Sequence, residues 1–166
     1  MWLVNTILII SFILQGVLSN FINIDTNVLN LLLPIVALII IYPYFRKNNS
    51  KYYIYAGIYG LLYDLIYTDT FILYAGLFLI LAFIISMLNV IFSNNIFNIG
   101  FITTIIIVIY RSITYFVLVI INYLNFDSKI LFRSIYSSLL VNIVYATVIY
   151  FISDKISYKY RIEKID

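Results

Sequence analysis

Two charged side chains stand inside long apolar stretches of this sequence, and they are the residues best placed to do chemistry. Asp64 follows the run YYIYAGIYGLLY, and Arg111 lies near the middle of the apolar stretch 98–124. An ionisable side chain within a membrane helix is costly, so it marks a functional site or has a partner inside the protein. The other carboxylates lie in short polar breaks or near the C-terminus, which leaves Asp64 as the deep acid for proton transfer or ion binding.

No catalytic constellation accompanies Asp64. The sequence contains neither His nor Cys, which excludes imidazole catalysis, thiolate chemistry, disulfides and the commonest metal ligand. Its glycines are scattered, so the sequence has no glycine-rich phosphate loop. Because a membrane enzyme normally needs two or more convergent acid–base groups, we expect no enzymatic activity, no catalytic residue, no metal and no cofactor. Nothing in the sequence favours nucleic-acid binding.

The composition indicates a membrane protein. Hydrophobic residues make up 64% of the chain and charged residues 10%, with a mean hydropathy of +1.08, whereas about a quarter of the residues in soluble domains are charged. No polar stretch is long enough to form a soluble domain. We therefore predict a single integral membrane domain over residues 1–166, of the all-α class.

Six hydrophobic segments approach the length needed to cross a bilayer core of roughly 30 Å. They cover residues 2–22, 28–45, 52–67, 70–92, 98–124 and 130–153, and a basic tail follows at 154–166. Since the connecting loops are short, consecutive helices are expected to be antiparallel neighbours in a compact bundle. Pro34 and Pro43 are expected to kink or end the second span.

The distribution of basic residues predicts the orientation. One side of the predicted membrane carries seven of them, namely Arg46, Lys47, Lys51, Lys155, Lys159, Arg161 and Lys164. The loops on the other side contain Asp25, Asp69, Asp127 and Lys129, with Arg133 just inside the sixth span. By the positive-inside rule, both termini are cytoplasmic.

The third segment carries two stripes at helical spacing. The first consists of Ala56, Gly60 and Asp64 at positions i, i+4 and i+8, with Gly57 beside them. Small residues at this spacing let another helix approach closely. The second is a tyrosine stripe: Tyr55, Tyr59, Tyr63 and Tyr67. We interpret both as surfaces for helix packing or for a partner, with a ligand-stacking wall as the alternative for the tyrosines.

Asp64 and Arg111 are predicted to lie at similar depths. Each is about 18–20 Å from the inner end of its span at 1.5 Å per residue. An Asp64–Arg111 ion pair is therefore our hypothesis, and the alternative is that each finds hydroxyl, amide, carbonyl or water partners separately. Other polar faces, such as those containing Gln15, Ser138 and Asn142, are expected to hold the bundle together.

The stretch from 60 to 66, GLLYDLI, resembles a motif of the MreD family of bacterial rod shape-determining membrane proteins. That family typically shows Gly-Leu-Leu-x-Asp-Leu-Leu in its third span, then a turn and a long apolar fourth span. Here the turn is Thr68-Asp69-Thr70, and the next span contains LYAGLFLILAF. Gln15 matches a glutamine common in the family's first span. The implied fold is a six-helix bundle similar in architecture to the S components of energy-coupling-factor transporters.

The resemblance implies a non-enzymatic scaffold of the side-wall elongation complex in the bacterial inner membrane. MreD binds MreC directly and works with MreB, RodZ, the glycosyltransferase RodA and a class B penicillin-binding protein. The implied role of this protein of the lipid bilayer is control of cell shape and peptidoglycan synthesis. The resemblance leaves open whether the protein forms a homodimer. In this setting we expect Asp64 to organise the bundle.

Two other functions remain as alternatives. The chain would be the substrate-binding S subunit of a vitamin transporter if Asp64, Arg111 and the tyrosines line a pocket. The first span argues against this, because it lacks the alanine-rich small-xxx-small motif with which such subunits dock their energising partner. A proton-coupled transporter using Asp64 is the other alternative, and the absence of an internal sequence repeat argues against it.

Overall fold

Long apolar runs separated by short polar breaks fold into helices throughout the computed structural model, which describes residues 1–21, 31–45, 50–68, 72–92 and 94–164. Over these residues helix accounts for 86% and there is no strand, which confirms the all-α class. The helices are α1 (Trp2–Phe21), α2 (Leu33–Ile41), α3 (Ser50–Tyr67), α4 (Leu73–Ile91), α5 (Ile96–Ile120) and α6 (Ser128–Tyr160). Several residues named above lie outside the described ranges: Asp25, Arg46, Lys47, Asp69 and Thr70.

The helices differ in how well they suit a membrane. Four of them, α1, α4, α5 and α6, are long and apolar enough to span it. The fifth, α2, is a shorter apolar helix that continues into a 3₁₀ turn and covers Leu33–Tyr44. The sixth, α3, is not among these four, and it carries Lys51, Asp64 and a high share of tyrosines. Six segments were expected to qualify as spans, and four of the helices do so by length and composition.

Helix α2 lies at the centre of the fold. All nine of its residues are buried, and it packs against α1, α4, α5 and α6. Pro34 sits in its first turn, where a missing backbone N–H needs no acceptor, and Pro43 lies in the 3₁₀ turn that ends it. Pro34 therefore starts the helix, whereas the sequence had suggested a kink or an end there.

Consecutive helices form the main packing pairs around α2. The most extensive contacts are between α3 and α4, between α5 and α6, and between α1 and α2. A hydrogen bond from the Tyr52 hydroxyl to the Leu38 carbonyl, 3.2 Å long, ties α3 to the buried helix. The short loops thus bring neighbouring segments together and position Asp64, at the end of α3, against the start of α4.

Helix α6 is longer than a membrane requires. Its 33 residues correspond to about 50 Å, against a hydrocarbon core of about 30 Å. It extends to Tyr160 and includes the first part of the predicted basic tail. Lys164 folds back beyond the helix end and forms an ion pair of 2.6 Å with Asp154. The beginning of the predicted tail is therefore a continuation of the helix.

Candidate functional site

Asp64 is buried at the end of α3, with 1% of its surface exposed. Its Oδ1 accepts a hydrogen bond of 3.1 Å from the Tyr74 N–H, and its Oδ2 accepts one of 2.9 Å from the Ala75 N–H. These groups lie in the first turn of α4, where N–H groups have no acceptor within the helix. Ile72 precedes the helix and provides no capping side chain. Asp64 therefore caps α4 from the neighbouring helix, with its charge at the positive end of the helix dipole.

Gly60 allows α3 and α4 to approach closely enough for this cap. A Cβ atom at Gly60 would lie 2.6 Å from Cα of Ala75 and 2.8 Å from the Tyr74 carbonyl oxygen. Ala56, one turn earlier, is fully buried as well. Ala56, Gly60 and Asp64 thus form an internal packing surface between α3 and α4.

The tyrosine stripe also faces other parts of the same chain. Its ring contacts, given as centroid distances, are Tyr55–Phe45 at 5.8 Å, Tyr59–Phe12 at 5.8 Å and Tyr63–Tyr74 at 5.0 Å. The Tyr67 hydroxyl donates a hydrogen bond of 2.6 Å to the Phe12 carbonyl and so joins α3 to α1. The stripe is consequently occupied by packing inside the bundle.

Arg111 extends from α5 towards α6. Its Nε donates a hydrogen bond of 2.7 Å to Ser138 Oγ, and its guanidinium lies 5.5 Å from the centroid of the Tyr110 ring. The Ser138 hydroxyl donates in turn to the Ser134 carbonyl at 2.8 Å, which leaves its lone pairs directed at Arg111. The guanidinium is thus anchored through one of its five N–H groups.

The two deep charges do not meet. Asp64 binds the backbone of α4, and Arg111 binds Ser138. Between residues that the structure describes, the ion pair that forms is Lys164–Asp154. The hypothesised ion pair between Asp64 and Arg111 is therefore not formed, because the backbone of a helix start takes the carboxylate instead.

A second helix cap involves Gln15 of α1 and Asn142 of α6, both buried. Gln15 Oε1 accepts a hydrogen bond of 3.0 Å from the Leu33 N–H, and its Nε2 donates one of 2.9 Å to the Leu31 carbonyl. Asn142 Oδ1 accepts a hydrogen bond of 2.8 Å from the Leu32 N–H. From the sequence, both amides were placed on polar faces of their helices, and their joint role as caps of α2 was not predicted. An amide side chain within an apolar run is the sequence signal that could have indicated this role.

The starts of four helices account for three of the buried polar residues. Helices α5 and α6 are capped by residues just before them, since Asn95 and Asp127 each accept a backbone N–H at 2.9 Å. Helices α2 and α4 are instead capped by side chains of other helices. Asp64, Gln15 and Asn142 thus serve as acceptors for backbone groups, an arrangement that holds the helices of the bundle together.

One exposed feature of α3 lies apart from these contacts. A shallow apolar groove runs beside Gly57 and is lined by Ser50, Tyr53, Ile54, Ile58, Leu61 and Leu79. A Cβ atom at Gly57 would lie 3.7 Å from Leu79 Cδ2, an ordinary contact distance. Small residues on an exposed apolar face provide the geometry in which a further membrane helix packs closely. We call this surface the Gly57 groove.

Apolar helices of spanning length and buried helix caps define a helical membrane protein. The family model for the rod shape-determining protein MreD matches residues 2–159. The chain therefore belongs to the MreD family, a family of shape-determining structural proteins that is not known to include enzymes. Neither a curated protein nor a solved structure matches the chain.

Proposed function

We propose that this protein is a non-enzymatic scaffold of the bacterial side-wall elongation complex, in which it binds MreC directly. The family match over residues 2–159 carries this proposal. MreB, RodZ, RodA and a class B penicillin-binding protein would be its further partners in the complex. The chain would lie in the inner membrane with both termini in the cytoplasm, as the positions of its basic residues favour, and would help control cell shape and peptidoglycan synthesis.

The internal bonding supports a scaffold. Asp64, Gln15 and Asn142 are engaged with backbone groups at the starts of α2 and α4. In a six-span arrangement, α2 would be the buried central helix. Helix α3 would be a span whose carboxylate, Asp64, is hydrogen-bonded inside the protein. Partner recognition then falls to the outer surfaces of the helices and to the part of α6 that exceeds the length of a span, because the loops are short.

The Gly57 groove is the surface that we propose for the membrane helix of MreC. Ile54 and Ile58 beside it are 57% and 48% exposed, so they are available to a partner. The lack of a side chain at Gly57 lets the backbone of a second helix come near, and close packing is a main source of helix association in membranes. Tyr55 and Tyr59, an alternative surface suggested by the sequence, already pack against Phe45 and Phe12.

Affinity capture of MreC from the same organism tests both parts of the proposal. Three forms would be co-expressed with MreC and purified in detergent: wild type, Gly57→Leu and Gly100→Leu. Gly100 is the matched control, because nothing lies within 4 Å of a Cβ at that position. We expect wild type and Gly100→Leu to retain MreC, whereas Gly57→Leu loses at least tenfold in recovery while keeping its unfolding temperature.

The outcomes separate the function from the contact site. If Gly57→Leu retains as much MreC as the control, the groove is not the contact, although the scaffold function stands. If wild type captures no MreC under conditions in which both proteins are folded, the proposed function fails. Mass spectrometry for a co-purifying small molecule would then test the transporter-subunit alternative.

A further inference from the structure

The exposed surface of α6 changes from apolar to basic near its C-terminal end. Exposed apolar side chains recur along this helix from Ile130 to Ile152, a distance of about 33 Å at 1.5 Å per residue. That length matches a hydrocarbon core of about 30 Å. Phe151, Lys155 and Lys159 are all exposed, and their spacing of four residues puts them on one side of the helix. The two lysines therefore continue the apolar surface just beyond the core.

Two aromatic residues at this end of the bundle indicate the depth of the lysines. Trp2 begins α1 and Tyr160 ends α6, and their rings meet edge to face with centroids 5.4 Å apart. The Lys159 ammonium lies 5.6 Å from the centroid of the Tyr160 ring. Both aromatic residues are more than half exposed, and tryptophan and tyrosine are enriched at the level of the lipid headgroups. Lys159 thus lies at the depth of the lipid phosphates.

This end of α6 is positively charged. Residues 153–164 contain four basic and two acidic side chains, which gives a net charge of +2. Asp154, the acid next to Lys155, forms the ion pair of 2.6 Å with Lys164. The other acid, Glu163, is matched in number by Arg161. The net charge is therefore that of Lys155 and Lys159, and the complementary surface is anionic.

We propose that Lys155 and Lys159 bind the headgroups of anionic phospholipids, and we call this surface the basic face of α6. Membranes that contain anionic lipids attract basic residues placed just outside a membrane helix, and the long lysine side chain can extend its ammonium towards the phosphates. A lipid fits this surface better than an acidic protein segment does, because Phe151 and Ile152, one turn earlier, are exposed to acyl chains. The inference requires only that this end of α6 lie at a membrane surface, so it does not depend on the proposed contact with MreC.

Trp2 provides a local readout for the test, because it is the one tryptophan of the sequence. The full chain is reconstituted in vesicles of phosphatidylcholine with a minor fraction of phosphatidylglycerol. Bromine atoms, which quench tryptophan fluorescence, are placed on the acyl chains of one lipid and, in a parallel sample, on those of the other. The ratio of the two quenching efficiencies, corrected for the bulk composition, measures the preference for phosphatidylglycerol beside Trp2.

The comparison involves wild type, Lys155→Gln/Lys159→Gln, Lys155→Arg/Lys159→Arg and Lys129→Gln/Arg133→Gln. The last form is the matched control, because Lys129 and Arg133 are exposed basic residues at the opposite end of the same helix. A basic residue near an anionic surface contributes about a factor of five in affinity. We therefore expect the preference to fall at least about fivefold in Lys155→Gln/Lys159→Gln, whereas the arginine form and the control keep the preference of wild type.

Three results would overturn the inference: wild type shows no preference for phosphatidylglycerol, Lys155→Gln/Lys159→Gln keeps the preference, or the control loses as much as that variant. An absence of preference in wild type would point instead to an acidic protein as the partner of the basic face. A salt titration of wild type requires no variant, because screening must reduce an electrostatic preference. A preference that high salt leaves unchanged would equally overturn the inference.

Discussion

Gln15 and Asn142 accept hydrogen bonds from adjacent backbone N–H groups, those of Leu33 at 3.0 Å and Leu32 at 2.8 Å. One amide belongs to the first helix and the other to the last, so together they fix both helices to the start of the buried α2. Water is absent from a hydrocarbon core, and backbone donors there must be satisfied within the protein. Gln15, Asn142 and Asp64 therefore mark the points where α2 and α4 begin inside the bundle.

Removing either amide should destabilise the protein. Gln15→Leu and Asn142→Leu each leave a buried N–H group without its acceptor, and we expect each to lower the free energy of unfolding by about 1–3 kcal/mol. The measurement is thermal unfolding in detergent. Asn89→Leu is the control, because the Asn89 amide donates to the Ile85 carbonyl of its own helix. Equal losses for Asn89→Leu and Gln15→Leu would contradict the capping role.

Substitutions at Asp64 should destabilise the protein according to the number of acceptor oxygens that they remove. Asp64→Asn retains one acceptor oxygen and leaves one buried N–H group without its acceptor, so we expect a loss of about 1–3 kcal/mol, whereas Asp64→Leu removes both acceptors and should cost more. Hydrogen exchange at the Tyr74 and Ala75 amides reports the cap directly and should accelerate most in Asp64→Leu. Unchanged exchange at these two amides in Asp64→Leu would show that the carboxylate has another role.

Replacing Gly60 with alanine tests the contact between α3 and α4. The added methyl would overlap the backbone of Ala75 and Tyr74, and overpacking of this kind typically costs about 1–3 kcal/mol. At Gly76, nothing lies within 4 Å of an added Cβ, so Gly76→Ala should stabilise its helix by about 0.5–1 kcal/mol. The two unfolding temperatures must therefore move in opposite directions; a gain in stability for Gly60→Ala would refute the close contact.

Two tyrosines of one stripe should respond differently to loss of their hydroxyl groups. Tyr67→Phe removes the hydrogen bond to the Phe12 carbonyl and should lower stability by about 0.5–1.5 kcal/mol. Tyr59 contacts Phe12 through its ring, so Tyr59→Phe should change stability by less. Chemical unfolding of both variants in mixed micelles provides the comparison, and the opposite order would mean that the hydroxyl of Tyr67 contributes nothing.

The sequence allowed the helical class and the burial of Asp64 to be predicted, because both depend on residue type. Apolar runs with so few charges have a single stable form in a membrane, and a carboxylate in such a run requires a partner. The spacing of Ala56, Gly60 and Asp64 predicted a surface for helix packing or for a partner, and in the structure α3 and α4 approach closely at Gly60.

The identity of the partners could not be predicted in the same way. Asp64 and Gln15 bind main-chain groups. Every residue except proline has a backbone N–H group, so the sequence does not indicate which N–H groups these side chains accept from. An ion pair with Arg111 was the natural hypothesis because it joins the two side chains that stand out. The start of α2 could not be predicted either, since Leu31 and Leu32, which are not helical, are as apolar as the helix that follows them.

The length of α6 has a mechanical consequence. A continuous helix of 33 residues is long enough to cross a hydrocarbon core with several turns to spare. Beyond its C-terminal end, Lys164 forms an ion pair with Asp154 and lies 4.9 Å from the centroid of the Tyr150 ring. We expect such a helix to curve only gently, because sharp kinks arise mostly at proline or glycine and α6 contains neither. A tilt imposed at one face of the membrane would therefore reappear at the other face, without a hinge and without any ligand passing through the protein.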